Sequence, residues 1–530
     1  MTPEQLWETY NTLRCRIDAL GLEVDISRVR FDEGWLTTCA DRMGQAMSAM
    51  DMLEQGGKAN ASENRMVGHY WLRDPSIAPD HTIAADIRSC IAAVQAFAQR
   101  VHAGEITPEK GDGFDIVLII GIGGSALGPQ LLADALSTNE DIMLIRFLDN
   151  TDPDGIDRVL DELDENLSAT LTVVVSKSGG TRETRNAMIE VAARYKQAGL
   201  DFGRHAVAVT GPGSTLDRQA ESEHWLARFP LWDWVGGRTS ITAAVGLLPA
   251  ALMGFDLDAF LAGAAECDRA TRTKDVAANP AALLALMWLD AAANRGKRNL
   301  VVLPYRDRLG LLGRYLQQLI MESLGKRLDR DGGCVHQGFT VYGNKGSTDQ
   351  HALVQQLRDG PNDFLALMIG VLRDRGSTSI PVDQDVTSGD YLHAYLYATR
   401  DALYEQERDS VVVTLDEFDA KSLGAIIALF ERAVGLYAEL VNVNAYDQPG
   451  VEAGKQSAEA MLALQRRVLA RVREAGRAMN PEEIAAALGA SDAVEQVHRI
   501  LRHAAANPDH GICGADGQGT FAASSRADGP

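Results

Sequence analysis

The sequence predicts an α/β fold with two parallel-sheet domains in series, and three observations carry that prediction. Short β-branched runs alternate with helical segments from Asp115 to Val209, and the alternation returns from Leu300 to Leu415. Glycine-rich turns follow the first and third of the early runs, where a strand hands over to a helix.

In chain order, the stretch up to about Tyr70 is polar and helical in pattern, with LWETYNTLRCRIDAL as its first amphipathic segment. Residues 1–80 are expected to form a helical arm with no chemistry of its own. A helix over Asp86 to Ala103 and a turn-rich loop over Gly104 to Gly113 lead into the first α/β domain, 81–285. Its strands read DIVLII (Asp115 to Ile120), MLIRFL (Met143 to Leu148), LTVVV (Leu171 to Val175) and HAVAV (His205 to Val209). After a helical stretch, Ala243 to Arg295, the second domain, 286–455, has strands at Leu300 to Leu303, Phe339 to Tyr342, Phe364 to Val371 and Val411 to Leu415. Residues 456–510 read as C-terminal helices. The small, polar, glycine-rich tail 511–530 is expected to be disordered.

Composition narrows the function. A chain of 530 residues with 46% hydrophobic and 23% charged residues is an ordinary globular protein with ample core. A net charge of -22 argues against general binding to nucleic acid or anionic membranes, but a small anion needs only a few local cations and amides. Six scattered cysteines without a CxxC pair suit a reducing compartment. The first residues lack the basic and apolar regions of a secretory signal, and the longest apolar run, Ile241 to Phe255, is short and interrupted by Pro249. A cytoplasmic enzyme that does not enter a membrane is the expectation. The eleven histidines show neither HExxH nor a Cys/His cluster, so no catalytic metal is expected.

The stretch Leu309 to Lys326, LGLLGRYLQQLIMESLGK, reads as a helix with one apolar face. Gln318 and Glu322 stand one turn apart beside that face, where partial desolvation strengthens a carboxylate as a base for proton abstraction next to a carbonyl. The plainer alternative pairs Glu322 with Lys326 at i,i+4, with Gly325 ending the helix.

Five other motifs carry chemistry. GIGGSALGP, Gly121 to Pro129, is a strand-to-helix turn that can present amides to an anion; its Gly121, Gly123 and Ala126 also fit a dinucleotide fingerprint, with Asp149 as a ribose acid. Ser176-Lys177-Ser178-Gly179-Gly180-Thr181 gathers hydroxyls, amides and a lysine at a helix start, a cradle suited to a phosphomonoester. VGGRTS places Arg238 as a fixed cation behind two glycines, fit to stabilise an enediolate oxygen. His351 opens a helix expected to be capped by Ser347 or Thr348, and YDQPGVEAGK sets Gln448 in a turn with Lys455 on the helix behind it.

VGGRTSITAAVG, QQLIMESLGK, DQHALVQQL and AYDQPGVEAGK, in that order, resemble the signature blocks of the glucose-6-phosphate isomerase (phosphoglucose isomerase) family, and GIGGSALGP and SKSGGT resemble its sugar-phosphate-binding elements. The resemblance runs from Gly121 to Lys455. It implies two doubly wound parallel-sheet sugar-isomerase (SIS) domains with helical extensions at both ends, in a homodimer. It also implies cofactor-free interconversion of glucose 6-phosphate and fructose 6-phosphate through a cis-enediol, in glycolysis and gluconeogenesis. By that resemblance Glu322 is the base, Arg238 stabilises the intermediate, and His351, from the other subunit, and Lys455 assist ring opening. Ser176, Lys177, Ser178 and Thr181 would hold the phosphate, Gly124 and Ser125 would line the pocket, and Gln318 and Gln448 would bind substrate.

Thr239 and the two glycines of SKSGGT depart from the bulkier residues of many relatives and leave room for mannose 6-phosphate as a second substrate. Two alternatives stay open: a sugar-phosphate sensor on the same fold, able to dispense with Glu322, and an NAD-dependent dehydrogenase resting on Gly121, Gly123, Ala126 and Asp149.

Overall fold

Five parallel strands make the first sheet, in the spatial order Leu144–Leu148, Ile116–Ile120, Thr170–Ser176, Ala206–Thr210, Ala227–Pro230. The order reverses between Ile116–Ile120 and Thr170–Ser176, and in such sheets ligands bind off the strand C-termini at that reversal. The two loops leaving those ends are GIGGS and SKSGGT. Both strands are buried along their whole length, which is why their sequences run apolar instead of alternating.

The structure, a computed structural model, describes residues 2–32, 34–515 and 519–524, and of residues 451–453, 455, 456 and 515 the backbone alone. The second sheet has six strands, Arg14–Ile17, Leu22–Arg28, Ser410–Leu415, Phe364–Val371, Asn299–Pro304 and Thr340–Tyr342 in spatial order. The last four are parallel, with Leu367 opposite both Val302 and Val411. Both sheets thus place the second strand of the series outside the first, with the third on the other side.

The first two strands correct the expectation of a purely helical arm. The opening helix stops at Thr12, and Leu22–Arg28 pairs antiparallel with Ser410–Leu415, Val24 opposite Val413. Leu22, Val24 and Ile26 alternate at strand period and are fully buried, a signal masked by the helical pattern just before them. A fifth strand of the first sheet, Ala227–Pro230, was also not expected from its sequence, since four residues with one buried Phe229 carry little periodicity.

Between the sheets lie helices buried on all sides, chiefly Ala244–Met253, Pro280–Leu289 and Ala420–Leu440. Helix Leu257–Ala270 meets Ala420–Leu440 at backbone contact: a Cβ on Gly263 would lie 1.9 Å from the Lys421 carbonyl oxygen, and one on Gly424 2.0 Å from that of Phe260. The same layer buries a charge cluster in which Arg73 pairs with Asp268 at 2.5 Å and Glu431 at 2.7 Å.

The chain divides into two compact units after Asp447. The boundary expected behind Lys455 falls inside one continuous helix, Pro449–Ala475. The second unit packs this helix with Pro481–Ala487 and Val494–Ala506 around Val472, Ile484, Val497 and Leu501. The tail expected to be disordered contains an antiparallel hairpin, Ile512–Ala515 with Thr520–Ala523; 516–518 and 525–530 lie outside the described residues. Ile512 and Phe521 are buried in the unit's core, and Phe521 exchanges backbone hydrogen bonds with Met479. Two apolar residues in a glycine-rich tail suffice to pin it.

Candidate active site

Three elements meet at the switch point of the first sheet. The Gly123 turn runs into helix Gly124–Leu136, and a Cβ on Gly124 would sit 2.0 Å from the Gly237 carbonyl oxygen. Only glycine lets these backbones touch. A Cβ on Gly123, at φ +61°, would come 3.2 Å from Nε2 of Gln318, so the glycine loop, the Arg238 turn and the Gln318 helix share one wall. Ser125, half-buried, stands in the first turn of that helix.

The helix carrying Glu322 is not the continuous α-helix its sequence suggests. An α-helical turn, Leu312–Leu316, passes into a π-helical stretch, Gln317–Glu322, before the chain leaves for the short strand Lys326–Leu328. Wider π turns occur as single insertions and concentrate at functional sites. Leu312, Leu316, Leu319, Ile320 and Leu324 are all buried, which keeps Gln318 and Glu322 on the half-exposed edge.

Glu322 does not pair with the Lys326 side chain. Its carboxylate Oε2 lies 3.4 Å from Nε of Arg238, is buried, and has no hydrogen-bond partner within the described residues. Arg238, itself buried, is fixed from the other side: Nη1 donates to Ser323 Oγ at 3.2 Å and to the Ala445 carbonyl at 3.0 Å, and Nη2 donates to the Asp447 carbonyl at 3.0 Å. Burial pulls the guanidinium below its ordinary value, Glu322 and Asp447 pull it back, and an arginine so placed stays charged. The result is an unpartnered carboxylate oxygen beside an immobile cation, an arrangement that can take a proton from carbon and hold the oxyanion that forms.

Lys326 turns the other way, into the protein. Its ammonium donates to the Glu322 carbonyl at 3.1 Å, to the Asp447 carbonyl at 2.7 Å and to Asp447 Oδ1 at 2.8 Å.

The SKSGGT loop is ordered from within. Ser176 Oγ donates to Thr181 Oγ1 at 3.2 Å and accepts the Gly179 amide at 3.2 Å, while Ser178 Oγ accepts the Gly180 amide at 3.1 Å. Gly179 needs its φ of +69°, and a Cβ there would come 2.4 Å from the Leu216 amide nitrogen. Helix Arg182–Gln197 begins behind Thr181, whose hydroxyl does not cap it. Lys177 donates to the carbonyls of Asp233 at 2.7 Å and Val235 at 2.9 Å, which ties this loop to the VGGRTS turn. Burial pushes the Lys177 ammonium down to about 8, with the Arg65 guanidinium adding to the fall.

The remaining expected residues stand on other elements. His351 is exposed, and its side chain makes no hydrogen bond or ion pair among the described residues. Its turn, Thr348–His351, is a short 3-10 segment; Ser347 precedes it without a side-chain cap, contrary to expectation, and the α-helix starts only at Val354. Asp349 holds the turn through the Asn344 amide at 2.6 Å, and Gln350 reaches the Tyr395 carbonyl at 3.1 Å. Gln448 opens the second unit, and the side chain of Lys455 lies outside the described residues. Asp149, the acid of the dinucleotide fingerprint, accepts Gln130 Nε2 at 2.8 Å.

Sequence reasoning missed the partners that hold the site. Asp447 accepts Ser62 Oγ at 2.7 Å, and Asn60 Nδ2 donates to the Tyr446 carbonyl at 3.2 Å, so a turn of the N-terminal arm braces the strap that holds Arg238. Only Tyr446 and Asp447, inside the YDQPG turn, had a visible signal.

A family model described as phosphoglucose isomerase matches residues 27–388 and 382–471. The chain is 57% identical over 513 residues to the protein named glucose-6-phosphate isomerase of Citrifermentans bemidjiense, covering 97% of each. It is 52% identical over 507 residues to the one so named of Trichormus variabilis, covering 96% of each. Among solved structures, a glucose-6-phosphate isomerase from Chlamydia trachomatis superposes with a TM-score of 0.79 at 27% identity over 87% of this chain and 91% of that one. A hypothetical protein from Thermus thermophilus gives 0.69 at 30% identity over 83% of this chain and 100% of that one.

Proposed function

This chain belongs to the phosphoglucose isomerase family, and from that premise we infer that it interconverts glucose 6-phosphate and fructose 6-phosphate through an enediol, with Glu322 as the base. The observation that carries the reading is the Glu322 carboxylate oxygen left without a hydrogen-bond partner beside Arg238. Glu322 removes the proton from C2 of the open aldose, and the C–H electron pair becomes the C1=C2 bond while negative charge moves to O1. Arg238 meets that charge with N–H donors already fixed in place. A proton passes from O2 to O1, Glu322 returns its proton to C1, and the carbonyl reappears at C2. His351 and Lys455 assist ring opening, and Gln318 and Gln448 bind the sugar hydroxyls. Interconversion assayed in both directions tests the reaction itself. Nothing in the comparisons supports the sensor or the dehydrogenase. The scattered cysteines favour a reducing, cytoplasmic setting. Among the described residues no helix is long and apolar enough to cross a membrane.

The phosphate sits on Ser176, Lys177, Ser178 and Thr181, with Gly124 and Ser125 lining the approach. A bound dianion favours the charged form of Lys177, so binding above about pH 8 takes up a proton. KM is therefore expected to be flat with respect to Lys177 below about pH 8 and to rise above it, by up to about tenfold per pH unit. Lys177→Gln abolishes that rise. A wild-type KM unchanged from pH 7 to 9.5 would remove Lys177 from phosphate binding.

The active unit is a homodimer in which His351 serves the partner's site. Support comes from the exposure of His351 and from the exposed Leu372, Ile380, Val382, Tyr391 and Tyr395. Gln350 ties the His351 turn to the helix bearing those two tyrosines. Mixing equal amounts of Glu322→Gln and His351→Ala subunits after dissociation should restore about a quarter of wild-type activity, since half the dimers are mixed and each carries one complete site. Recovery no greater than the sum of the two parents places His351 in its own subunit's site.

A further inference from the structure

We propose that Lys326, locked to Asp447, is the positioning residue that holds Arg238 and Glu322 at the separation enediolate stabilisation needs; the proposal rests on the reading of Glu322 and Arg238 just given.

Lys326 is not a ligand for the sugar. An ammonium has three hydrogens, and the carbonyls of Glu322 and Asp447 and Asp447 Oδ1 take all of them, with the residue buried. Asp447 is equally committed: its other oxygen, Oδ2, accepts Ser62 Oγ at 2.7 Å and Asn444 Nδ2 at 3.0 Å. An ammonium with no donor to spare, paired with a carboxylate engaged at both oxygens, acts through what it holds.

What they hold is the site itself. The Asp447 carbonyl receives both Arg238 Nη2 and Lys326 Nζ, so the two cations share one backbone oxygen. Lys326 also grips the carbonyl of Glu322, at the end of the π-helical stretch where backbone oxygens lack intrahelical partners. Lys326 thus joins the end of the Glu322 helix to the strap Ala445–Asp447, and the strap supplies two of the three acceptors that orient Arg238. Without that joint the strap and the helix end are free to move apart. The Arg238 guanidinium then has no reason to keep Nε at 3.4 Å from Glu322 instead of closing to hydrogen-bond distance, which would lower the carboxylate's affinity for a proton and weaken the base. Burial lowers the Lys326 ammonium from its ordinary value, and Asp447 opposes that fall.

Lys326→Met keeps the stem and removes the donors. Its kcat is expected to fall on the order of 10- to 100-fold, the scale of a displaced catalytic group, with KM within about threefold. Affinity for a hydroxamate that mimics the enediolate should fall by the same factor as kcat, while affinity for the uncharged-head analogue glucitol 6-phosphate stays within about threefold. Asp447→Asn, which retains the backbone acceptor, should show the same selectivity at about fivefold; it decides the matter alone if Lys326→Met does not fold. Unchanged kcat in an active preparation overturns the proposal. So does an equal loss of affinity for both analogues, which marks a general collapse of the pocket. Absence of isomerisation in the wild type would instead defeat the underlying reading of the site.

Discussion

Replacing Glu322 by Gln should leave sugar-phosphate binding within a few-fold and lower turnover by about 10³-fold or more, the range for losing a positioned base. The amide matches the carboxylate in shape, so the π-helical stretch and the wall shared with Gln318 stay in place. Only the capacity to accept a proton from carbon is lost. Exchange of the C2 hydrogen with solvent must fall with isomerisation, because both begin with the same proton transfer. Nearly normal turnover in Glu322→Gln would refute the role. The orphaned state of Oε2 is what makes the prediction sharp: a carboxylate whose oxygen is buried without a hydrogen-bond partner serves packing poorly.

Arg238→Met should be nearly as damaging for a different reason, lowering kcat by about 10²- to 10³-fold as the oxyanion loses its preorganised donor. It also strips hydrogen bonds from Ser323 Oγ and the carbonyls of Ala445 and Asp447. The Asp447 carbonyl keeps Lys326 Nζ, but a buried acceptor left unpaired, as at Ala445, costs about 1–3 kcal/mol, so the melting temperature should drop as well. Arg238→Lys restores the charge but not the fork that reaches two elements at once, and its kcat should stay at least about tenfold below wild type. Thermal melts beside steady-state kinetics separate the two effects. A full rescue by lysine would show that charge alone suffices.

The parts legible in the sequence are those where chemistry and backbone demand coincide locally. GIGGS and SKSGGT follow β-branched runs, and their glycines stand where a Cβ would strike Gly237 or Leu216. VGGRTS differs: a Cβ on Gly236 would lie 3.4 Å from Thr239 Oγ1 and one on Gly237 would meet nothing, so the close approach there belongs to Gly124 against the Gly237 carbonyl. The π-helical stretch Gln317–Glu322 was not legible, since its leucines fit an α-helix equally well and only the packed surroundings choose between them. Nor were Leu22–Arg28 and the Asn60–Tyr446 and Ser62–Asp447 contacts, which join residues more than 380 positions apart. Such pairings leave no local pattern. The alternative that paired Glu322 with Lys326 fails for a related reason: an i,i+4 spacing suggests an ion pair on an α-helix, but the helix ends there and the lysine takes the carbonyl instead of the carboxylate.

The most direct test of the central claim is solvent deuterium incorporation, followed by NMR, when the EDTA-treated wild-type protein turns over glucose 6-phosphate in D2O. A base that removes the C2 proton, exchanges it with solvent while the enediol persists and delivers a proton to C1 predicts label at C1 of fructose 6-phosphate and at C2 of recovered glucose 6-phosphate, appearing with product and absent in Glu322→Gln. Conversion and labelling in Glu322→Gln at the wild-type rate would mean that another group takes the C2 proton, and Glu322 would not be the base.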